Sequence, residues 1–183
     1  MKKKRLPGRL FLLSLFVPVV VLTSMLIKPV TTMVNGEEVT LATIPIDPRD
    51  IFYGDYVDLE LEINELNASL LTEKLRKQLT NDSFHRDLTV YVSLSKDDNG
   101  IYKAVNISEE KPSGSFVQGK MLPYFIDSSE NEQSVRINYG IDRFYVEEGT
   151  GLELEEQARE GQVVVTVRIH DGYGLVTSVK EVK

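Results

Sequence analysis

The first 27 residues constrain this chain more than any other stretch. Lys2, Lys3, Lys4, Arg5 and Arg9 precede an apolar run from Leu10 to Ile27, whose 18 residues carry no charge and only three hydroxyls, Ser14, Thr23 and Ser24. At about 1.5 Å per residue a helix over this run is roughly 27 Å long, close to the ~30 Å hydrocarbon thickness of a bilayer. Basic residues ahead of a span hold the N-terminus in the cytoplasm, so the remainder is expected outside it, tethered to the cell membrane by a single pass. Pro18 is compatible with such a helix, because neighbouring groups re-satisfy the freed carbonyl. A cleaved signal peptide is the competing reading. It calls for an apolar core of about 7–15 residues and then a small-x-small site. Here the run is longer, and the nearest match, Leu22-Thr23-Ser24, has a bulky residue in the wrong place. The pattern favours a retained anchor. The expected organisation is a basic tail over 1–9, an anchor over 10–27, a short polar stalk over 28–38 opened by Lys28-Pro29, and one domain over 39–183.

Setting the anchor aside changes the charge. Six of the 21 basic residues (Lys2, Lys3, Lys4, Arg5, Arg9 and Lys28) lie in or beside it, which leaves 15 basic against 28 acidic, a net of −13. A domain this acidic is expected to repel nucleic acid and anionic lipid headgroups, so nucleic acid is not an expected partner. The chain has no cysteine. That excludes a disulfide framework, a thiolate metal site and a cysteine nucleophile. A domain of this size can rest on its apolar core alone.

The domain reads mostly as strand. Val57, Leu59, Leu61 and Ile63 alternate with Asp58, Glu60 and Glu62, the period of a half-buried strand. Val39–Ile46 alternates weakly. Leu88, Val90, Val92 and Leu94 repeat the pattern, and Asn99-Gly100 turns the chain into a partner over Ile101–Ser108. Further strands are expected over Ser115–Ile126, Ser134–Tyr139, Val163–Ile169 and Leu175–Val182, the last two joined at Asp171-Gly172-Tyr173-Gly174. Two helices interrupt them. Leu66, Leu70, Leu71, Leu75 and Leu79 form a helical stripe over 66–79, and Leu152–Arg159 reads as a shorter helix stopped by Gly161. The expected class is α+β, a predominantly antiparallel β-sheet domain with two short helices behind one transmembrane helix.

Two dense stretches could carry chemistry. In the first, Asp47-Pro48-Arg49-Asp50 leads through Gly54-Asp55 into a strand at Tyr56. Arg49 could hold an anionic group while Asp50 or Asp55 acts as acid, base or cation ligand. Arg49 bridging Asp47, Asp50 or Asp55 as an internal staple is the simpler reading. In the second, Arg143, Tyr145, Glu147 and Glu148 run into Gly149-Thr150-Gly151 and then the expected helix. A glycine-rich helix entry can receive an anion on its N–H groups, but Thr150 with Glu153 also reads as a capping box. His85 and His170, the two histidines, lack metal-ligand spacing. No cofactor motif, P-loop or nucleophile elbow is present.

The segment Gly54-Asp55-Tyr56-Val57-Asp58-Leu59-Glu60-Leu61, preceded by Asp47-Pro48-Arg49-Asp50 and followed much later by Phe144-Tyr145-Val146-Glu147-Glu148-Gly149-Thr150-Gly151, resembles the GDYXXLXY family from about Leu41 to the C-terminus. The motif's final tyrosine is Leu61 here, so a role needing that hydroxyl is lost while an inward packing role survives. The resemblance implies a bacterial membrane-anchored protein, often associated with multi-pass membrane proteins, and supplies no reaction. Three readings follow. The first is a binding or assembly module presenting Asp47, Arg49, Asp50, Gly54, Asp55, Tyr56, Arg143, Tyr145, Glu148, Gly149 and Gly151 to a membrane or cell-envelope partner. The second is an envelope hydrolase using Asp50, Asp55 and Glu147, which requires the two stretches to converge with carboxyl groups about 5–10 Å apart. The third is a purely structural role for both motifs.

Overall fold

A computed structural model describes residues 8–44, 56–81, 87–122, 134–145 and 163–181. Helix α1 covers Gly8–Asn35, 28 residues, and its Leu13–Asn35 portion is long and apolar enough to cross a membrane. Pro18 and Pro29 both lie inside it. Thr23 Oγ1 donates to Val19 O at 2.8 Å and Thr31 Oγ1 to Ile27 O at 2.7 Å, so these two hydroxyls are satisfied by the helix's own carbonyls.

The polar stalk expected over 28–38 is absent. Lys28-Pro29 does not close the helix, which runs on to Asn35, and strand β1 (Glu37–Ala42) begins after one residue, Gly36. The helix end is seated on the domain. Gly36 N–H donates to Thr32 O at 2.9 Å, and Arg168 Nη1 donates to Met33 O, one of the carbonyls left open at the helix C-terminus.

Ten strands are described: β1, β2 (Tyr56–Asp58), β3 (Glu65–Asn67), β4 (Leu88–Lys96), β5 (Tyr102–Ser108), β6 (Phe116–Met121), β7 (Ser134–Asn138), β8 (Arg143–Tyr145), β9 (Val163–His170) and β10 (Tyr173–Glu181). They form a three-stranded sheet β1-β9-β10, a five-stranded sheet β3-β7-β6-β4-β5 and a two-stranded ladder β2-β8. All strand pairs are antiparallel, and with helix α2 (Glu73–Asn81) the class is α+β. One contiguous core joins the two larger sheets: Val39, Leu41, Val165 and Val167 from one, Val90, Val92, Ile107, Val117 and Ile137 from the other. Leu75 of α2 is fully buried in that core.

The hairpins form where local chemistry asks for them. Asp97 Oδ1 accepts from Asn99 N and Ile101 N at 2.9 Å each, and Gly100 takes a φ of 86°. Asp171 and Gly172 both have positive φ, 54° and 80°, the geometry of a two-residue turn whose twist matches its flanking strands. The Gly172 carbonyl then accepts from Gln118 N at 2.9 Å. The β9–β10 turn thereby fills the edge of β6 that β7, paired only at Lys120 and Met121, leaves open.

Two expectations about elements are corrected. The leucine stripe over 66–79 is not one helix. Leu66 lies in β3, residues 68–70 form a single 3-10 turn with Asn67 Oδ1 accepting from Ser69 N at 2.8 Å, Leu71 bridges Ile107, and α2 starts at Glu73. Leu66, Leu71 and Leu75 nevertheless all reach the core, so burial was legible where the element was not. The alternation of Val57–Ile63 also survives as burial, with Leu59, Leu61 and Ile63 inward, although β2 ends at Asp58 and a 3-10 turn takes Glu62–Asn64. Of the strand expected over 115–126, β6 covers Phe116–Met121, and residues 123–126 lie outside the described residues. The expected helix over 152–159 lies outside the described residues.

Candidate functional site

The two motif-bearing stretches meet in the fold. β2 and β8 pair with Tyr56 opposite Tyr145, Val57 opposite Phe144 and Asp58 opposite Arg143. Leu59 N–H donates to Asp142 O at 2.7 Å and extends this ladder by one step. Because the pairing is antiparallel, the chain enters β2 and leaves β8 at the same end. The stretch carrying Asp47, Arg49, Asp50, Gly54 and Asp55 and the stretch carrying Glu147, Glu148, Gly149 and Gly151 therefore attach side by side. Those nine residues themselves lie outside the described residues, as does His85. Of the remaining candidates, Tyr56 and Tyr145 are placed by their backbone as register partners, and Arg143 is exposed.

Local chemistry sets this ladder in position. Asn138 Oδ1 accepts from Gly140 N at 2.8 Å, and Gly140 adopts a φ of 70°, which turns the chain out of β7. Ile141 then drops into the core and Arg143 starts β8. On the other side, Ile44 N–H donates to Glu60 O at 2.8 Å and Thr43 bridges Leu61, so the chain that leaves β1 returns beside itself. Glu60 is engaged internally: its Oε1 lies 2.6 Å from Arg136 Nη2 on β7. Leu59 and Leu61, the two inward positions of the motif, are buried, Leu61 completely. Leu61 therefore does what its place in the alternation implied, and the missing tyrosine hydroxyl has no open surface to act on.

The ladder follows directly on Ile141, whose side chain lies over Gly174 at the start of β10. Near it, Tyr139 donates its hydroxyl to Ile63 O at 2.7 Å, and burial pushes the phenol far above its ordinary range, so it serves as a fixed donor. Among the described residues no group of three or more histidine, aspartate or glutamate side chains is placed to hold a metal.

A concave site has no local signal in the sequence. A cleft of about 1010 Å³ lies between the C-terminal turns of α1 and the domain, with Lys28, Thr32, Lys120, His170 and Asp171 on its walls. Lys28 read as a helix flank and His170 as a turn residue; only the fold brings them together.

An apolar N-terminal helix joined without a spacer to an antiparallel, β-rich α+β domain defines the class of this protein. The GDYXXLXY protein family matches residues 18–179, and the chain belongs to that family. No curated protein and no solved structure matches it.

Proposed function

We propose that this is a membrane-anchored binding or assembly module whose domain stands outside the cytoplasm and meets a membrane or cell-envelope partner, a multi-pass protein, through its motif end. The observation that carries the reading is the β2–β8 ladder. It belongs to neither main sheet and unites two motif blocks far apart in sequence. An acidic exterior and a basic tail ahead of the span support the orientation. The test is photocrosslinking in intact membranes from a probe at position 143. A discrete adduct with one membrane protein, lost in Arg49→Ala or Asp55→Ala chains that retain their thermal stability, is the expected result. No reproducible adduct from folded, membrane-inserted protein would refute the proposal.

A hydrolase using Asp50, Asp55 and Glu147 is the second reading, favoured by one observation: the stretches bearing them attach at adjacent ends of β2 and β8. It predicts that Asp55→Asn and Glu147→Gln each abolish turnover of an envelope polymer without loss of stability. The burial of Leu59 and Leu61 favours a structural role for those two motif positions alone.

A further inference from the structure

We infer that the cleft between α1 and the domain is a binding site for the anionic phosphodiester headgroup of a membrane lipid. The inference rests on the reading of α1 as a membrane anchor and assigns a second, separate site to the same molecule.

Depth is the first argument. The apolar run ends at Ile27, and Lys28 follows as the first charged residue on the outer side. A span of 18 residues already covers the hydrocarbon layer, so Lys28 stands at the level of the headgroups. Lys28 lines the cleft, as does Tyr173, which is 38% exposed beside it and has the amphipathic ring suited to that interface. Because α1 continues into the domain without a stalk, the opening of the cleft is held at this depth and does not swing on a tether.

Charge is the second. The exterior is strongly acidic as a whole, yet the cleft is not. Asp171 is neutralised by Lys111, which also lies over the Phe116 ring at 5.6 Å. That leaves Lys28 and Lys120, neither with an ion-pair partner among the described residues, against Asp87. Lys28 of the anchor, which also acts on Asp171 through its charge, and Lys120 of β6 both line the cleft and supply the positive charge that a singly charged phosphodiester needs.

The third argument is a buried hydroxyl. Thr32, also on the cleft wall, is 1% exposed, and its Oγ1 has no hydrogen-bond partner among the described residues. A buried hydroxyl without a partner is costly. Its neighbour Thr31 returns its own hydroxyl to Ile27 O and Lys28 O, so the helix offers this remedy and Thr32 does not take it. A phosphodiester oxygen between Lys28 and Lys120 would supply the missing acceptor. The cleft is large enough for a headgroup and its glycerol.

The test uses the full chain in nanodiscs of equal phosphatidylglycerol and phosphatidylcholine, followed by native mass spectrometry. One retained phosphatidylglycerol per chain is expected. It should be lost in the Lys28→Ala/Lys120→Ala double variant and kept in a charge-matched Lys77→Ala/Lys103→Ala control. Thr32→Val separates a ligand role from a merely orphaned hydroxyl: retention should fall roughly tenfold while stability holds or rises. Unchanged retention in Thr32→Val and in the double lysine variant would overturn the site. Displacement of the lipid by millimolar inorganic phosphate would overturn the lipid as its ligand. Failure to enter nanodiscs would remove the anchor reading and this inference together, whereas insertion without selective retention would overturn this inference alone.

Discussion

The two ends of β1 are built in opposite ways. At Glu37 the chain emerges from a helix locked to the sheet through backbone atoms: Gly36 N–H on Thr32 O, and Arg168 on Met33 O. Glu37 itself is held by Tyr102 at 3.1 Å and Ser115 at 2.6 Å, which ties the helix exit to the five-stranded sheet. At Thr43 the contacts are apolar beneath and polar above. Leu59 and Leu61 sink into the core, while the chain on either side of them opens to the exposed Arg143 and to the attachment points of the two motif stretches. The first end reads as a fixed mount. The second sets the buried half of the motif beside the half that the proposed function assigns to recognition.

That contrast can be broken most severely at Leu61. Leu61→Ala should cost about 2–5 kcal/mol of stability in the denaturation of the full chain in micelles, because a fully buried leucine leaves a cavity among residues of both large sheets. Arg143→Ala, at an exposed position, should stay within about 0.5 kcal/mol. Comparable losses from both would erase the division between inner and outer halves.

Gly36→Ala attacks the mount. A methyl there would press on the Thr32 carbonyl oxygen and lie 3.1 Å from Arg168 Cβ, and a backbone oxygen cannot rotate away. The expected cost is about 1–3 kcal/mol, with new proteolytic cleavage between α1 and β1. Retained protease resistance would mean the junction tolerates the shift. Tyr139→Phe should cost about 1 kcal/mol by leaving the Ile63 carbonyl without its donor, and it should move both ends little.

The smallest effect is pH-dependent. The hydrogen bond and then the charge of Lys111 hold the Asp171 carboxyl below its ordinary value of 3.8. A carboxyl depressed in the folded state stabilises it above that ordinary value and loses the contribution as pH falls through the lower folded one. Both partners are exposed, so global stability should barely change. Amide protection factors at the β9–β10 turn, corrected for the intrinsic slowing of exchange in acid, should fall below about pH 4, and Asp171→Asn should abolish that dependence while leaving the motif end untouched.

Much of this architecture could be read in the residues. β4, β9 and β10 follow period-2 alternation, and their turns carry Asn99-Gly100 and Asp171-Gly172, so each signal is local and self-sufficient. The leucines over 66–79 misled because a strand residue and helix residues face the same core, and spacing alone cannot separate them. The stalk was misjudged because Lys28-Pro29 resembles a stop. Proline inside a helix costs less when tertiary contacts hold the following turns, and here Thr32 and Pro29 are covered by the domain. At the candidate site the residue types were legible, and their meeting was not: pairing Tyr56 with Tyr145 is a long-range register that no local pattern encodes. The cleft was hidden for the same reason, since its walls come from α1, β6 and the β9–β10 turn.

The central claim is that the two motif blocks are one structure, joined by β2 and β8. The chain has no cysteine, so a Val57→Cys/Phe144→Cys pair gives an unambiguous test. Register partners in an antiparallel ladder have Cα atoms about 4.5–5.5 Å apart, within the range a disulfide spans. Mild oxidation of the folded, membrane-inserted protein should close this bridge rapidly, and a mismatched Val57→Cys/Tyr139→Cys pair should remain reduced. A reduced Val57→Cys/Phe144→Cys pair in folded protein would contradict the account.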